Sequence, residues 1–220
     1  MLFSLHPNRL ATLLCLLLPA TLWAAEPGAM AEDKGHVYQW NKFADDLYAL
    51  HLRQIADRPI RKEETLGGYA GRPAFYRQVK FFAADSGRLL SVVQREVEQP
   101  DNIHSIAVFR HDEQGRVLRD YSTTFLPDYR NAPVQTLVFL HHYPQGVHAF
   151  RSFDASGEVL YERCEGSFDD QPVFISLDID EIEEARGERY REQSGIMTEP
   201  AYLHCFTGLS ETADAVLPPR

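Results

Sequence analysis

Val147-His148-Ala149-Phe150-Arg151-Ser152-Phe153-Asp154-Ala155-Ser156-Gly157-Glu158-Val159-Leu160 decides how this chain folds. Apolar and polar residues mix in a strand-like run up to Phe153, Asp154 to Gly157 carry the chemistry of a tight turn, and Val159-Leu160 restart an apolar run. That is a β-hairpin: aspartate accepts hydrogen bonds from nearby backbone amides at the turn entrance, and glycine takes the positive φ that closes it. Phe109-Arg110-His111-Asp112-Glu113-Gln114-Gly115-Arg116-Val117-Leu118 repeats the pattern, with Asp-x-x-Gly followed by a charge, valine and leucine. Asp85-Ser86-Gly87-Arg88-Leu89-Leu90 is a shortened version.

Working outward from these hairpins, turn residues cut the middle of the chain at even intervals: Pro100-Asp101-Asn102, Pro127 to Pro133 and Pro144-Gln145-Gly146 join the three above. Strands fit between them at about Phe75 to Ala83, Leu89 to Val97, Ile103 to Arg110, Val117 to Phe125, Val134 to Tyr143, Val147 to Phe153 and Val159 to Cys164. Val173 to Leu177 adds a further one after Pro172. Connections this short join antiparallel neighbours, so the pattern predicts a meander.

Before the sheet, Trp40, Phe43, Leu47, Leu50 and Ile55 recur at helical spacing within His36 to Ala56, which predicts one amphipathic helix ended by Pro59. After the sheet, Asp180 to Gln193 reads as a short, heavily charged helix, and Tyr202 to Phe206 as an apolar element that docks back. The expected fold is α+β and β-rich: an antiparallel meander of about seven to nine strands, strongly curved or barrel-like, with an amphipathic N-terminal helix and a short C-terminal helix.

Composition supports a single domain. The chain has 220 residues, 44% hydrophobic and 25% charged, with 22 basic against 32 acidic side chains for a formal net charge of −10. That balance argues against nucleic acid as a partner, because releasing phosphate counterions needs a basic face and no lysine or arginine cluster in the sequence supplies one. Lys34, Arg58, Arg61, Lys62 and Arg72 make a scattered basic stretch, interrupted by Glu63 and Glu64, that reads as ordinary solvated surface. Met1 to Ala25 reads as a cleaved secretory leader: Arg9 precedes the apolar block Leu10 to Leu18, and small residues follow. The block is far short of the ~20 residues that span a bilayer. The expected organisation is therefore leader 1–25, loose N-terminus 26–35, one β-rich domain 36–213 and a loose tail 214–220.

An exported chain reaches an oxidising compartment, the periplasm or the exterior, where Cys164 and Cys205 make an even pair and predict a disulfide. Neither lies in a Cys-x-x-Cys setting, so the pair reads as structural.

Among candidate chemistry, His141, His142 and His148 stand out because Pro144-Gln145-Gly146 turns the chain between them. A two-residue loop places His148 opposite His141, and a three-residue loop places it opposite His142. Either register makes a cross-strand histidine pair able to share a divalent transition metal, copper, zinc or nickel, if a third ligand arrives from elsewhere. His104, His111 or a carboxylate are the third-ligand candidates. A triad of His148, Ser152 and Asp154 fails on spacing, since His148 and Ser152 lie roughly 13 Å apart along a strand. Asp178 and Asp180 resemble the start of a calcium loop, but Glu183 stands where that loop needs glycine. Gly67-Gly68-Tyr69-Ala70-Gly71 lacks the strand-to-helix context of a phosphate cradle. Phe75, Tyr76, Phe81, Phe82, Phe125, Phe139, Tyr143 and Phe150 are expected to pack between the sheet and the N-terminal helix.

No catalytic set emerges, and no resident cofactor is expected. The sequence points to an exported, non-catalytic binding protein whose occupant is a protein partner or a small hydrophobic ligand. Metal binding through the histidines and a hydrolase site assembled only in three dimensions are the alternatives.

Overall fold

The computed structural model describes residues 34–127, 131–192 and 195–219. The leader expected over 1–25 and nearly all of the stretch 26–35 lie outside the described residues. Helix α1 (Lys34–Ala56) leads into nine strands, β1 (Ile60–Tyr69), β2 (Arg72–Ala83), β3 (Leu89–Glu96), β4 (Ile103–His111), β5 (Val117–Thr124), β6 (Gln135–His142), β7 (Val147–Phe153), β8 (Val159–Phe168) and β9 (Gln171–Asp178). Helices α2 (Ile179–Glu192) and α3 (Pro200–Phe206) follow, with 3-10 turns at Ile196–Thr198 and Ala213–Ala215. The strands form one antiparallel sheet in sequence order. Among the described residues no helix is long and apolar enough to cross a membrane.

The two Asp-x-x-Gly turns fold alike. Asp112 Oδ1 accepts from the Arg116 amide at 2.8 Å, and Asp154 Oδ1 from the amides of Ser156 at 2.8 Å and Glu158 at 2.9 Å. Gly115 and Gly157 close the turns at φ of 86° and 92°, where a side chain would be strained.

The sheet is neither closed nor strongly curled, contrary to the barrel-like expectation. β1 and β9 are its two edges and do not pair with each other. Both edges are blunted against further pairing: Arg61, Lys62, Glu63 and Glu64 crowd β1, and Pro172 removes an amide donor from β9. β1 was hidden in the sequence because its charges break the apolar alternation, which an edge strand does not need. Gly68 is fixed by close approach, since a Cβ there would meet the Arg72 carbonyl oxygen at 1.9 Å.

The helices also differ from the expectation. α1 begins at Lys34, inside the stretch read as loose, and two helices follow the sheet in place of one. Pro200 opens α3 at a position where its missing amide costs nothing. The calcium-like Asp178 is an N-cap: its Oδ1 accepts from the Glu181 amide at 3.1 Å while Glu181 Oε2 accepts from the Asp178 amide at 2.9 Å, a reciprocal capping box. Val216, in the expected tail, is buried, and its carbonyl accepts a hydrogen bond from the Tyr121 hydroxyl at 3.2 Å.

One face of the sheet carries the core. Phe43, Leu47 and Leu50 of α1, Ile182 of α2 and Tyr202 and Phe206 of α3 pack against Phe81, Val93, Ile106, Val108, Tyr121, Val138, Leu140, Ala149, Phe153, Cys164, Ile175 and Leu177. Cys164 on β8 and Cys205 in α3 are fully buried at disulfide-bonding distance, S–S 2.09 Å, which ties the C-terminal segment to the sheet. Beside them, Arg151 Nε donates to Glu162 Oε1 at 2.6 Å, and the pair is 3% and 0% exposed. The Tyr202 hydroxyl donates to the other Glu162 oxygen at 2.7 Å, and Arg151 also donates to the Ser210 carbonyl at 2.6 Å.

Under α1, His51 Nδ1 lies 2.8 Å from Ser91 Oγ, with the Phe81 ring edge against it. Burial, with Arg95 and Lys62 adding repulsion, pushes its pKa down to about 4. The unfolded chain therefore takes up the His51 proton first as pH falls below 6.5, so stability is full above that value and declines towards pH 4. Integrated over the window, the loss amounts to about 3 kcal/mol. Urea unfolding at pH 7 and pH 4.5 should show this decline, and His51→Gln should flatten it; an unchanged slope in the variant contradicts the assignment.

Candidate functional site

Apart from Arg151 and Phe153, the buried core-facing positions of β6 and β7 are aliphatic or small, and most of the rings go to the other side. Alternation sends Val138, Leu140, Ala149 and Phe153 under the helices and Phe139, His141, His148 and Phe150 to the opposite face. Of the eight aromatic residues expected between sheet and helix, only Phe81 belongs to the buried core. Tyr76, Phe139, Tyr143 and Phe150 are half-buried, and the helix-free face holds most of them. This face is the first candidate site.

The register also corrects the histidine pairing. His141 faces Phe150 and His142 faces Ala149, so neither is directly opposite His148. The connection holds four residues, Tyr143 to Gly146, closed by the Val147 amide donating to the Pro144 carbonyl at 3.2 Å. Tyr143 consequently meets His148, with rings stacked at 4.6 Å and 7°. His141 and His148 still touch, diagonally: His141 Nδ1 lies 3.0 Å from His148 Nε2. His142 points to the other face, where its Nδ1 lies 3.2 Å from the Cys205 carbonyl oxygen. The three histidines therefore do not converge.

The pair continues to a carboxylate. His141 Nε2 donates to Asp120 Oδ1 at 2.7 Å, which leaves His141 Nδ1 as acceptor for the His148 Nε2 proton when both rings are neutral. Burial, reinforced by His141, holds the His148 pKa below the usual histidine value, against the pull of Glu165. Rings extend the row on both sides, Arg116 over Tyr143 at 4.5 Å and Phe139 against Phe150 at 5.5 Å. Further out, Arg163 pairs with Glu165 at 2.8 Å and lies over Phe174, which is 68% exposed.

Chemically, this is a hydrogen-bonded Asp–His–His row within an aromatic surface. Among the described residues no hydroxyl or thiol bonds to either of these two histidines, and no group of three or more His, Cys, Asp or Glu is placed to hold a metal ion. His104 sits elsewhere, on the Tyr69 hydroxyl and the Tyr76 ring, so it is not a third ligand. Ser152 is buried and donates to the Tyr161 carbonyl at 3.4 Å, while Asp154 serves its turn.

A second site had no sequence signal. A cavity of about 580 Å³ lies where the end of α1, the β2–β3 hairpin and the end of β4 meet, and Arg53, Arg58, Arg88 and Arg110 line it. They come from three separate stretches of chain, each unremarkable alone.

No family model, curated protein or solved structure matches the chain, and its functional reading rests on its own residues.

Proposed function

We propose that the chain is an exported, non-catalytic binding protein that engages a protein partner through the helix-free face of its sheet. The observation that carries this reading is the concentration of Phe139, His141, Tyr143, His148, Phe150 and Phe174 on the side away from the helices. Aromatic rings combining apolar faces with polar tips are enriched where proteins meet. An open sheet has no barrel interior in which to enclose a small hydrophobe, so a second polypeptide surface suits this face better. The leader-like sequence and the buried Cys164–Cys205 pair support export. A photoreactive residue at Phe150 or Phe174 should crosslink to a defined protein in exporting cells, while the same residue at Leu52 or Leu203 on the helical side should not. Equal labelling from both sides, or from the helical side alone, contradicts it.

One observation favours a second reading, metal binding by His141 and His148. Asp120 holds the distal nitrogen of His141 in the way an outer carboxylate orients a metal-ligating imidazole. On that reading Cu²⁺, Zn²⁺ or Ni²⁺ binds one to one in equilibrium dialysis and the His148→Ala variant loses it. Unchanged stoichiometry in the variant removes the reading.

A further inference from the structure

The arginine-lined cavity stands apart from the aromatic face and carries its own argument. The chain as a whole is acidic, at −10, yet this cavity gathers four guanidinium groups against a single lining carboxylate, Asp85. Arg53, Arg58 and Arg110 are exposed, so water screens part of their mutual repulsion, and the rest raises the energy of the folded state unless something offsets it. Little within the described residues does so for two of the four: neither Arg53 nor Arg58 has a carboxylate within ion-pair distance. Arg88 is fixed in place by backbone alone, its two terminal nitrogens donating to the carbonyls of Asp112 at 3.3 Å and Glu113 at 3.0 Å, so its charge is oriented without being neutralised. His111 on the same wall adds no negative charge, and burial together with Arg88 holds its pKa low. The wall is held together by ordinary structure: Gln54 donates from α1 to the Phe109 carbonyl at 3.0 Å, which keeps the helix end over β4.

We propose that this cavity binds a small oxyanion ligand, one bearing phosphate or several carboxylate groups. Its volume of about 580 Å³ lies in the range of roughly 300 to 1,000 Å³ usual for small-ligand sites. Guanidinium forks match the oxygens of phosphate and carboxylate in pairs, which makes arginine the usual residue for such groups. The competing explanation is that Arg53 simply complements the negative end of α1, as a cation in the last turn of a helix does, with Arg58 just beyond it. The two explanations differ in what the arginines do for a ligand.

Isothermal titration of the purified mature chain with pyrophosphate and with citrate separates them. The proposal expects saturable one-to-one binding of at least one of the two, weakened at least about tenfold in the Arg53→Gln/Arg58→Gln variant and weakened by added salt. Pyrophosphate alone assigns a phosphorylated ligand, and citrate alone a polycarboxylate. Arg163→Gln, a charge removed on the far face of the sheet, should leave binding unchanged. Arg58→Gln alone, in the loop after α1, keeps the test readable if the double variant folds poorly. No saturation at millimolar ligand, equal weakening by Arg163→Gln, or binding unaffected by the loss of Arg53 and Arg58 while Tm falls would each overturn the proposal.

Discussion

Replacing Arg151 with methionine should lower the unfolding free energy by about 3 to 5 kcal/mol, because it leaves Glu162 charged inside the core. Glu162 has no exposure to water, and its two oxygens are held by Arg151 at 2.6 Å and Tyr202 at 2.7 Å. Burial and the neighbouring carboxylate raise the Tyr202 pKa, so the phenol remains a donor and offers no compensating charge. Arg151 also satisfies the carbonyl of Ser210 after α3, so its loss loosens the C-terminal segment as well as the sheet. The paired variant Arg151→Met/Glu162→Leu should recover much of the loss, since an apolar pair replaces two buried charges together. Urea midpoints of the wild type, the single and the double variant measure this. A single variant within about 1 kcal/mol of the wild type shows the pair to be a surface-like one.

Removing the Cys164–Cys205 bridge should cost a comparable amount. The two positions are 41 residues apart, and a closed loop of that size stabilises by about 4 kcal/mol in the chain-entropy account. Both cysteines are fully buried, so the Cys164→Ala/Cys205→Ala variant also leaves a small void. Unfolding of the oxidised wild type against the same protein under reductant gives the bridge contribution without a change of side chain. Identical midpoints would mean that the pair is not bonded in the purified protein.

These elements differ in how far the sequence reveals them, and the reason is range. Asp112 to Gly115 and Asp154 to Gly157 each settle a hairpin through bonds a few residues long, so both turns and the bounds of β7 are legible directly. The disulfide is legible because only two cysteines lie outside the leader-like segment. The faces are another matter: alternation says that Phe139 and Val138 point opposite ways, but only the position of α1 decides which side becomes the core. His141 and His148 fall together although the loop between them is longer than the two or three residues expected, since a diagonal neighbour on the same face is still within ring contact. His142 went to the other face by the same alternation. The arginine cavity was invisible because Arg53, Arg58, Arg88 and Arg110 meet only after the sheet and α1 have docked.

The helices cover one side of the sheet, and the proposed partner would cover the other. Covalent footprinting of aromatic and histidine side chains, on the purified mature protein and again inside exporting cells, tests this most directly. The purified protein should be labelled at His148, Phe174 and Tyr161, whose ring lies 5.9 Å from that of Phe150, and spared at Phe43, Tyr121, Tyr202 and Phe206, with the first group losing its label in cells. Equal labelling of His148, Tyr161 and Phe174 in both settings would contradict the proposed role of that face.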